Sequence, residues 1–289
     1  MTERRSSISL GPIAKLLRPL QWIKNGFVLG PLVFSGLFTD PNAIMKALLA
    51  TAIFCVTSST IYILNDLRDI EEDRTHPTKS KTRPLASGAV RPNIAYGMFA
   101  VMVAIVGLGL VIMPALTLPI SGYVFINLAY SYYFKKKPVI DLFCIASGFV
   151  LRVYAGALAI AVDASPWIVV TTLCLALYLA AIKRRQELTQ QGSDSRHVLS
   201  IYTVNLLDRY AEMAAISALM FYGLYVFTVR PELVLTIPLV LFGLFRYWYI
   251  VEVRGGGESP TDALVRDWPL LATLFVWAGL CLWVLTQSF

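Results

Sequence analysis

The sequence predicts an all-α, polytopic membrane protein, and three observations carry that prediction. Of its 289 residues, 57% are hydrophobic and 15% charged, a balance too apolar for the surface of a water-soluble globule. Apolar stretches of about 20 residues, long enough to cross a hydrocarbon core about 30 Å thick, recur from one end of the chain to the other. Lys and Arg gather on alternate connections between those stretches, the asymmetry that orients helical membrane proteins.

Run length and apolar periodicity place nine spans, at residues 25–39, 43–64, 93–112, 118–134, 139–161, 166–182, 211–229, 232–250 and 268–288. A single membrane domain over residues 1–289 accounts for them, with residues 1–24 as a charged segment ahead of the first helix. That segment has neither an unbroken apolar core nor a small-residue cleavage site, so the first helix is expected to act as its own anchor rather than as a removed signal peptide. Cys55, Cys144, Cys174 and Cys281 fall inside the spans without the spacing of zinc ligands, which reads as small apolar fillers and argues against disulfides. Gly26 and Gly30 have the spacing that lets membrane helices approach closely.

With the N-terminus in the cytoplasm, 22 of the 25 Lys and Arg lie on the cytoplasmic side, Lys46 and Arg230 lie outside, and Arg152 falls within a helix. The expectation is a multi-pass protein of the inner (plasma) membrane, N-terminus cytoplasmic and C-terminus outside. The net charge of +7 then reflects a face that meets anionic lipid, with no need for nucleic acid. Outer connections at 39–42, 113–117, 162–165 and 230–231 are short, whereas those at 65–92, 183–210 and 251–267 are long and charged, so a cytoplasmic substrate is expected.

The strongest local signal is Asn65-Asp66-Leu67-Arg68-Asp69-Ile70-Glu71-Glu72-Asp73, which continues from an apolar span. A helix advancing about 100° per residue carries Asp66, Asp69 and Asp73 onto one face, with Asn65 beside them. Carboxylates grouped in this way repel one another unless a cation lies between them. Hard oxygen donors suit Mg²⁺, with Mn²⁺ as a substitute; the ion takes one or two carboxylates and bridges to substrate phosphates. Asn65, Asp66, Asp69 and Asp73 are therefore candidate metal ligands, and the three aspartates candidate catalytic residues. A solvated charge run at a membrane exit is the plainer reading of such a segment. Arg74, His76, Lys79, Lys81 and Arg83 follow, so anion-binding groups stand close behind the acidic run, although loop cations also serve as topology determinants.

On these residues the chain resembles the UbiA superfamily of intramembrane prenyltransferases. In that family a first aspartate-rich motif holds Mg²⁺ on the diphosphate of an isoprenoid donor, and a second acidic motif follows the sixth helix. This sequence departs there: it reads Lys183-Arg184-Arg185-Gln186-Glu187-Leu188, a charge balance poor for a second Mg²⁺-diphosphate cradle and well suited to a bare phosphate. Further segments narrow the resemblance: Arg18-Pro19-x-Gln21-Trp22-x-Lys24-Asn25, residues 65–79, Tyr130-x4-Lys135 with Asp141, Arg152 with Ala155-Gly156, and Arg246-Tyr247 ahead of Gly-Gly-x-Glu-Ser-Pro and Arg266-Asp267. Together they are similar to the decaprenyl-phosphate phosphoribosyltransferase branch over residues 18–267. The resemblance implies Mg²⁺-dependent transfer of 5-phosphoribose from phosphoribosyl diphosphate to a polyprenyl phosphate, with release of diphosphate, on the way to arabinose donors for cell-envelope polymers. It implies a UbiA-like helical bundle with a cytoplasm-facing cavity, and substrate-binding roles for Lys24, Asn65, Arg74, Lys79, Arg83, Tyr130, Lys135, Arg152, Lys183, Arg184, Glu187, Arg246 and Arg266. Homo-oligomerisation stays open.

Arg152 lies about a dozen residues into the fifth span, where a charge is costly and usually faces a cavity or a partner. An anion-facing role at the cavity floor is preferred over pairing with Asp141, which lies eleven residues earlier on nearly the same face. Two rivals remain at this point: a prenyltransferase acting on an aromatic or quinone-precursor acceptor, and a transporter or scaffold whose acidic loop binds a cation. A transporter should carry ionisable groups along a path open to both faces, and the outer half here is almost uncharged.

Overall fold

The computed structural model describes residues 10–75, 79–191, 197–255 and 260–287. Among them there is no strand. The helices are α1 (Leu10–Leu17), α2 (Gly30–Phe34), α3 (Pro41–Arg68), α4 (Ile70–Thr75), α5 (Lys79–Thr82), α6 (Pro92–Ile112), α7 (Thr117–Tyr132), α8 (Ile140–Ala159), α9 (Pro166–Gln191), α10 (Val204–Val229), α11 (Ile237–Arg254), α12 (Pro260–Arg266) and α13 (Trp268–Gln287). A 3-10 run, Pro19–Leu29, joins α1 to α2.

Seven helices among the described residues are long and apolar enough to cross a membrane, against the nine spans expected: α3, α6, α8, α9, α10, α13, and α11 together with its 3-10 lead-in, which begins at Pro231. The span expected at 25–39 is not one helix. Pro31 stands in the first turn of α2, where its missing N–H is one of the donors a helix start leaves unpaired anyway, and Gly36 at φ 82° ends the segment. The span expected at 118–134 is the 16-residue helix α7 with 3-10 turns on either side. At 1.5 Å per residue it reaches about 24 Å, short of a full hydrocarbon core. Other helices run longer than their apolar stretches. The sixth span, expected at 166–182, continues to Gln191, so the charged residues 183–187 sit on helix α9 rather than in a loop.

The chain divides into two compact units, Met1–Asn25 with Ala52–Pro114, and Gly26–Thr51 with Ala115–Phe289. In the first unit Leu16 of α1, Ile63 and Leu67 of α3, Leu85, Val90 and Ala95 form a buried core. Helix α6 lies close on α3, where Gly109 leaves room for Ile53. Its remaining surface is apolar and exposed, with Val101, Ile105, Leu108 and Val111 outward, as a helix must be when the solvent is lipid.

The second unit is built on α7 to α13. Tyr178, Ala181 and Ile182 of α9 pack with Ala211 and Ala214 of α10 and Tyr247, Ile250 and Val251 of α11. Tyr222, Tyr225 and Val226 of α10 form another core with Cys281 and Leu285 of α13. All four cysteines are free thiols. Small residues set the tightest approach. Gly26 and Gly30, the pair whose spacing suggested close packing, face open space, whereas a Cβ added to Gly156 of α8 would strike the carbonyl oxygen of Val28.

This contact is backbone against backbone, so no rotamer change relieves it. Gly156→Ala is expected to destabilise the purified protein by about 1–3 kcal/mol or more, the range for overpacking, and Gly26→Ala to leave stability nearly unchanged. Thermal unfolding in detergent measures both.

Candidate active site

In the first unit the acidic run continues the helical path of α3. Asp69 N–H donates to the Asn65 carbonyl at 2.9 Å and Asp73 N–H to the Asp69 carbonyl at 2.8 Å. Helical spacing therefore brings Asp66 and Asp73 to one side, and each carboxylate is only 2% exposed. Arg83 bridges them: its Nη1 donates to Asp66 Oδ1 at 2.8 Å and to Asp73 Oδ2 at 2.5 Å. Arg18 Nη2 donates to the same Asp66 oxygen, and its guanidinium lies 4.8 Å from the Tyr62 ring centre. Arg18 holds a positive φ of 52° directly before Pro19, a backbone state crowded for any side chain with a Cβ. Its part in the site was visible in the sequence only as a member of a longer motif.

Asp69 is placed differently from its two neighbours. It is half-buried, and its carboxylate lies 3.8 Å from Arg68 Nε. Asn65 and Lys24 are half-buried. Arg74 is exposed and paired with Glu71 at 2.8 Å. His76, Pro77 and Thr78 and the Lys79 side chain lie outside the described residues, as do residues 256–259.

These donors fit a hard divalent cation. Asp66 and Asp73 are buried carboxylates that converge on one guanidinium nitrogen, with Asp69 and Asn65 on the same stretch of helix. Among the described residues no three His, Cys, Asp or Glu side chains form a ready-made cage. A Mg²⁺ ion on one or two of these carboxylates would complete its shell with water and substrate phosphate.

In the second unit the charged segment of α9 points inward. Arg184 is 1% exposed. Its Nε donates to Asp141 Oδ2 at 2.8 Å, its Nη1 to Glu187 Oε2 at 2.6 Å and its Nη2 to the Tyr130 hydroxyl at 2.7 Å. The other Asp141 oxygen accepts from the Tyr202 hydroxyl at 2.8 Å. Arg184 and Glu187, expected as substrate-binding groups, are both buried here, and the guanidinium donates to protein acceptors through all three of its nitrogens. Lys183 stays half-exposed, 3.9 Å from Glu187. Lys135, in the 3-10 turn after α7, is half-buried.

Asp141 is the partner of Arg184, and Arg152 is a separate buried group on α8. It is 4% exposed, donates to the Gly148 carbonyl at 2.7 Å and the Tyr123 hydroxyl at 3.2 Å, and lies over the rings of Tyr123 and Phe149. Arg246 is also held by protein: it makes a two-point contact with Asp267 at 2.9 and 3.0 Å, and Arg254 donates to the same carboxylate. Asp267 accepts from the Leu270 N–H at the start of α13. The bond from Arg246 holds its carboxyl below the usual carboxylate range. Arg266, one residue earlier, is exposed at the end of α12.

Removing one member of a buried ion cluster strands the others. Arg184→Ala is expected to destabilise the fold by about 3–5 kcal/mol, because the buried Asp141 and Glu187 lose the guanidinium that compensates their charge. Arg184→Lys should recover only part, since an ammonium cannot reproduce three diverging donors. The fraction of protein recovered as a monodisperse species after mild heating reads the difference.

Residues 28–263 match the UbiA prenyltransferase family. The chain is 32% identical to the decaprenyl-phosphate phosphoribosyltransferase of Corynebacterium glutamicum, covering 91% of this chain and 83% of that protein. It is also 32% identical to the enzyme of the same name from Mycolicibacterium smegmatis, covering 92% and 90%. In fold it is similar to a UbiA homolog from Archaeoglobus fulgidus solved with GPP and Mg²⁺, with a TM-score of 0.72 and 19% identity over 95% of this chain and 99% of that one. With the acidic motif at the end of α3 and apolar helices long enough to cross a membrane, this chain belongs to the UbiA prenyltransferase family and is a membrane-embedded transferase.

Proposed function

We propose that this protein transfers 5-phosphoribose from phosphoribosyl diphosphate to a polyprenyl phosphate and releases diphosphate, at the cytoplasmic face of the plasma membrane. Identity of 32% to decaprenyl-phosphate phosphoribosyltransferases over nine-tenths of the chain is the observation that carries it. The charge distribution supports the same reading. Residues 183–188 hold one carboxylate, Glu187, which pairs with Arg184, so the 65–73 segment is the better suited to a metal-bound diphosphate. Cations suited to the remaining phosphates are Lys24, Lys135, Lys183 and Arg266, each at least partly exposed. The Lys and Arg asymmetry supports a cytoplasmic N-terminus and an outer C-terminus.

In the reaction a polyprenyl phosphate oxygen attacks C1 of the ribose, the C1–O bond to diphosphate breaks, and diphosphate leaves with the electron pair. The nucleophile is already an anion at neutral pH, so the chain need not supply a strong base. Mg²⁺ on Asp66, Asp69 and Asp73 with the donor would neutralise charge growing on the leaving group. Asp66 and Asp73 are held for that task by Arg83 and Arg18, and Asn65 stands beside them. The buried Arg184 cluster positions Tyr130 and the end of α9 from which Lys183 projects. An arabinose-donor pathway is the use such a product would serve.

Radiolabelled phosphoribosyl diphosphate should be consumed by the purified protein only when polyprenyl phosphate is present, giving diphosphate and a lipid-soluble phosphoribose. Ribose 5-phosphate and free polyprenol should both fail. Transfer of an isoprenyl group from its diphosphate to an aromatic acceptor, with phosphoribosyl diphosphate ignored, would establish the prenyltransferase alternative instead.

The aspartates should separate by their surroundings. Asp69→Ala is expected to lower kcat by about a hundredfold or more without loss of folded protein, because Asp69 is half-buried and only loosely paired. Asp73→Ala should lose activity and stability together, since Arg83 loses a buried partner. EDTA should inactivate the wild type, and Mg²⁺ or Mn²⁺ should restore it.

A further inference from the structure

The connection from α7 to α8 contains a backbone conformation that its residue type opposes. Val139 has φ 67° and ψ −50°. The Ile140 N–H donates to the Pro138 carbonyl at 2.8 Å, which closes a three-residue γ-turn of the rarer, strained hand. A β-branched residue with positive φ is an outlier that surrounding structure must hold in place, and glycine would take that position without strain.

What holds it is Tyr202. The Val139 N–H donates to the Tyr202 hydroxyl at 2.6 Å, and that hydroxyl donates to Asp141 Oδ1 at 2.8 Å. Tyr202 is 5% and Asp141 0% exposed. Burial raises the Tyr202 phenol above its ordinary range, so it keeps the proton it donates. The strained turn is thereby tied to the cluster of Arg184, Glu187 and Tyr130. Directly before the turn stand Lys135, Lys136 and Lys137, and their backbone is fixed at both ends: Tyr133 N–H donates to the Ala129 carbonyl at 2.9 Å, and Asp141 N–H to the Lys137 carbonyl at 3.1 Å. Lys135 is half-buried, Lys136 and Lys137 are exposed, and none of the three has an acidic partner among the described residues. Three consecutive cations on a rigid backbone form an anion-binding edge, and its direction depends on the φ of Val139.

We propose that Tyr202 is a positioning residue, whose hydroxyl keeps Val139 in the γ-turn and so aims the Lys135, Lys136 and Lys137 edge at a phosphate group of the substrates. The inference rests on the phosphoribosyl transfer proposed above. That phosphate belongs to the soluble donor or to the lipid acceptor, and the two sources separate by measurement.

The test uses the full-length protein in nanodiscs, with KM for phosphoribosyl diphosphate and for polyprenyl phosphate measured separately alongside equilibrium binding of each. Tyr202→Phe keeps the ring and removes the hydroxyl. It should raise one KM about tenfold, the loss of one charge-assisted contact, while kcat stays within about threefold. Binding of that same substrate should weaken in parallel. Adding Val139→Gly, which takes the turn without help from Tyr202, should bring the KM back to within about twofold of wild type. Tyr202→Phe with wild-type KM values, or a defect that Val139→Gly leaves unrelieved, overturns the proposal. Should Tyr202→Phe fail to fold, the double variant decides: folded protein with wild-type KM supports the role, and any other result removes it. Wild-type protein that binds neither substrate is a separate failure, of the function itself, and takes this inference with it.

Discussion

A guanidinium can lie in the interior of a helical bundle only if protein acceptors replace the water it has lost, and Arg184 meets that condition with Asp141, Glu187 and Tyr130. Those partners come from α7, α8 and α9 itself, and through Asp141 the cluster extends to Tyr202 ahead of α10. Four elements of the second unit are thus registered against one side chain. Apolar packing alone would leave more freedom, because in lipid the space outside a helix is as apolar as the space between helices. The polar cluster has one arrangement that satisfies every member.

The first unit solves the same problem with two guanidiniums for two carboxylates. Asp66 and Asp73 are the buried groups, and Arg18 and Arg83 reach in from just after α1 and just after α5 to compensate them. Two carboxylates that would repel each other are held close without unfolding the end of α3. The carboxylates are therefore organised before a substrate arrives, and Asp69, 3.8 Å from its neighbour Arg68, is the most accessible of the three aspartates. Positive φ at Arg18 and Val139 lies beside these two clusters; the Arg18 side chain bonds to Asp66, and the Val139 N–H to the Tyr202 hydroxyl that in turn donates to Asp141.

Composition and charge spacing made the membrane class, the helical secondary structure and the acidic motif legible, because those follow from local rules. The apolar content requires lipid, backbone groups in lipid require helices, and a spacing of seven residues brings Asp66 and Asp73 to one side of a helix. Span counting was less faithful. It read 25–39 as one helix, where Pro31 and Gly36 interrupt it, and ended the sixth span at 182, where helix α9 continues to Gln191. Hydropathy detects where apolar residues stop, while a helix stops only when its backbone bonds do.

By itself the sequence determined that the chain folds in a bilayer as helices and that its charged residues gather at helix ends, since these are consequences of solvation along the chain. Only the tertiary structure decided what each charge does. Arg184, Arg246 and Lys183 look alike as letters in a basic segment, yet the first two are bound by carboxylates 43 and 21 residues away and Lys183 stays half-exposed. Tyr202 and Val139 carry no local signal at all, because valine in that turn is unfavourable until a hydroxyl 63 residues later accepts its N–H. Local preference is set within a few residues; the partner that overrides it is set by the fold.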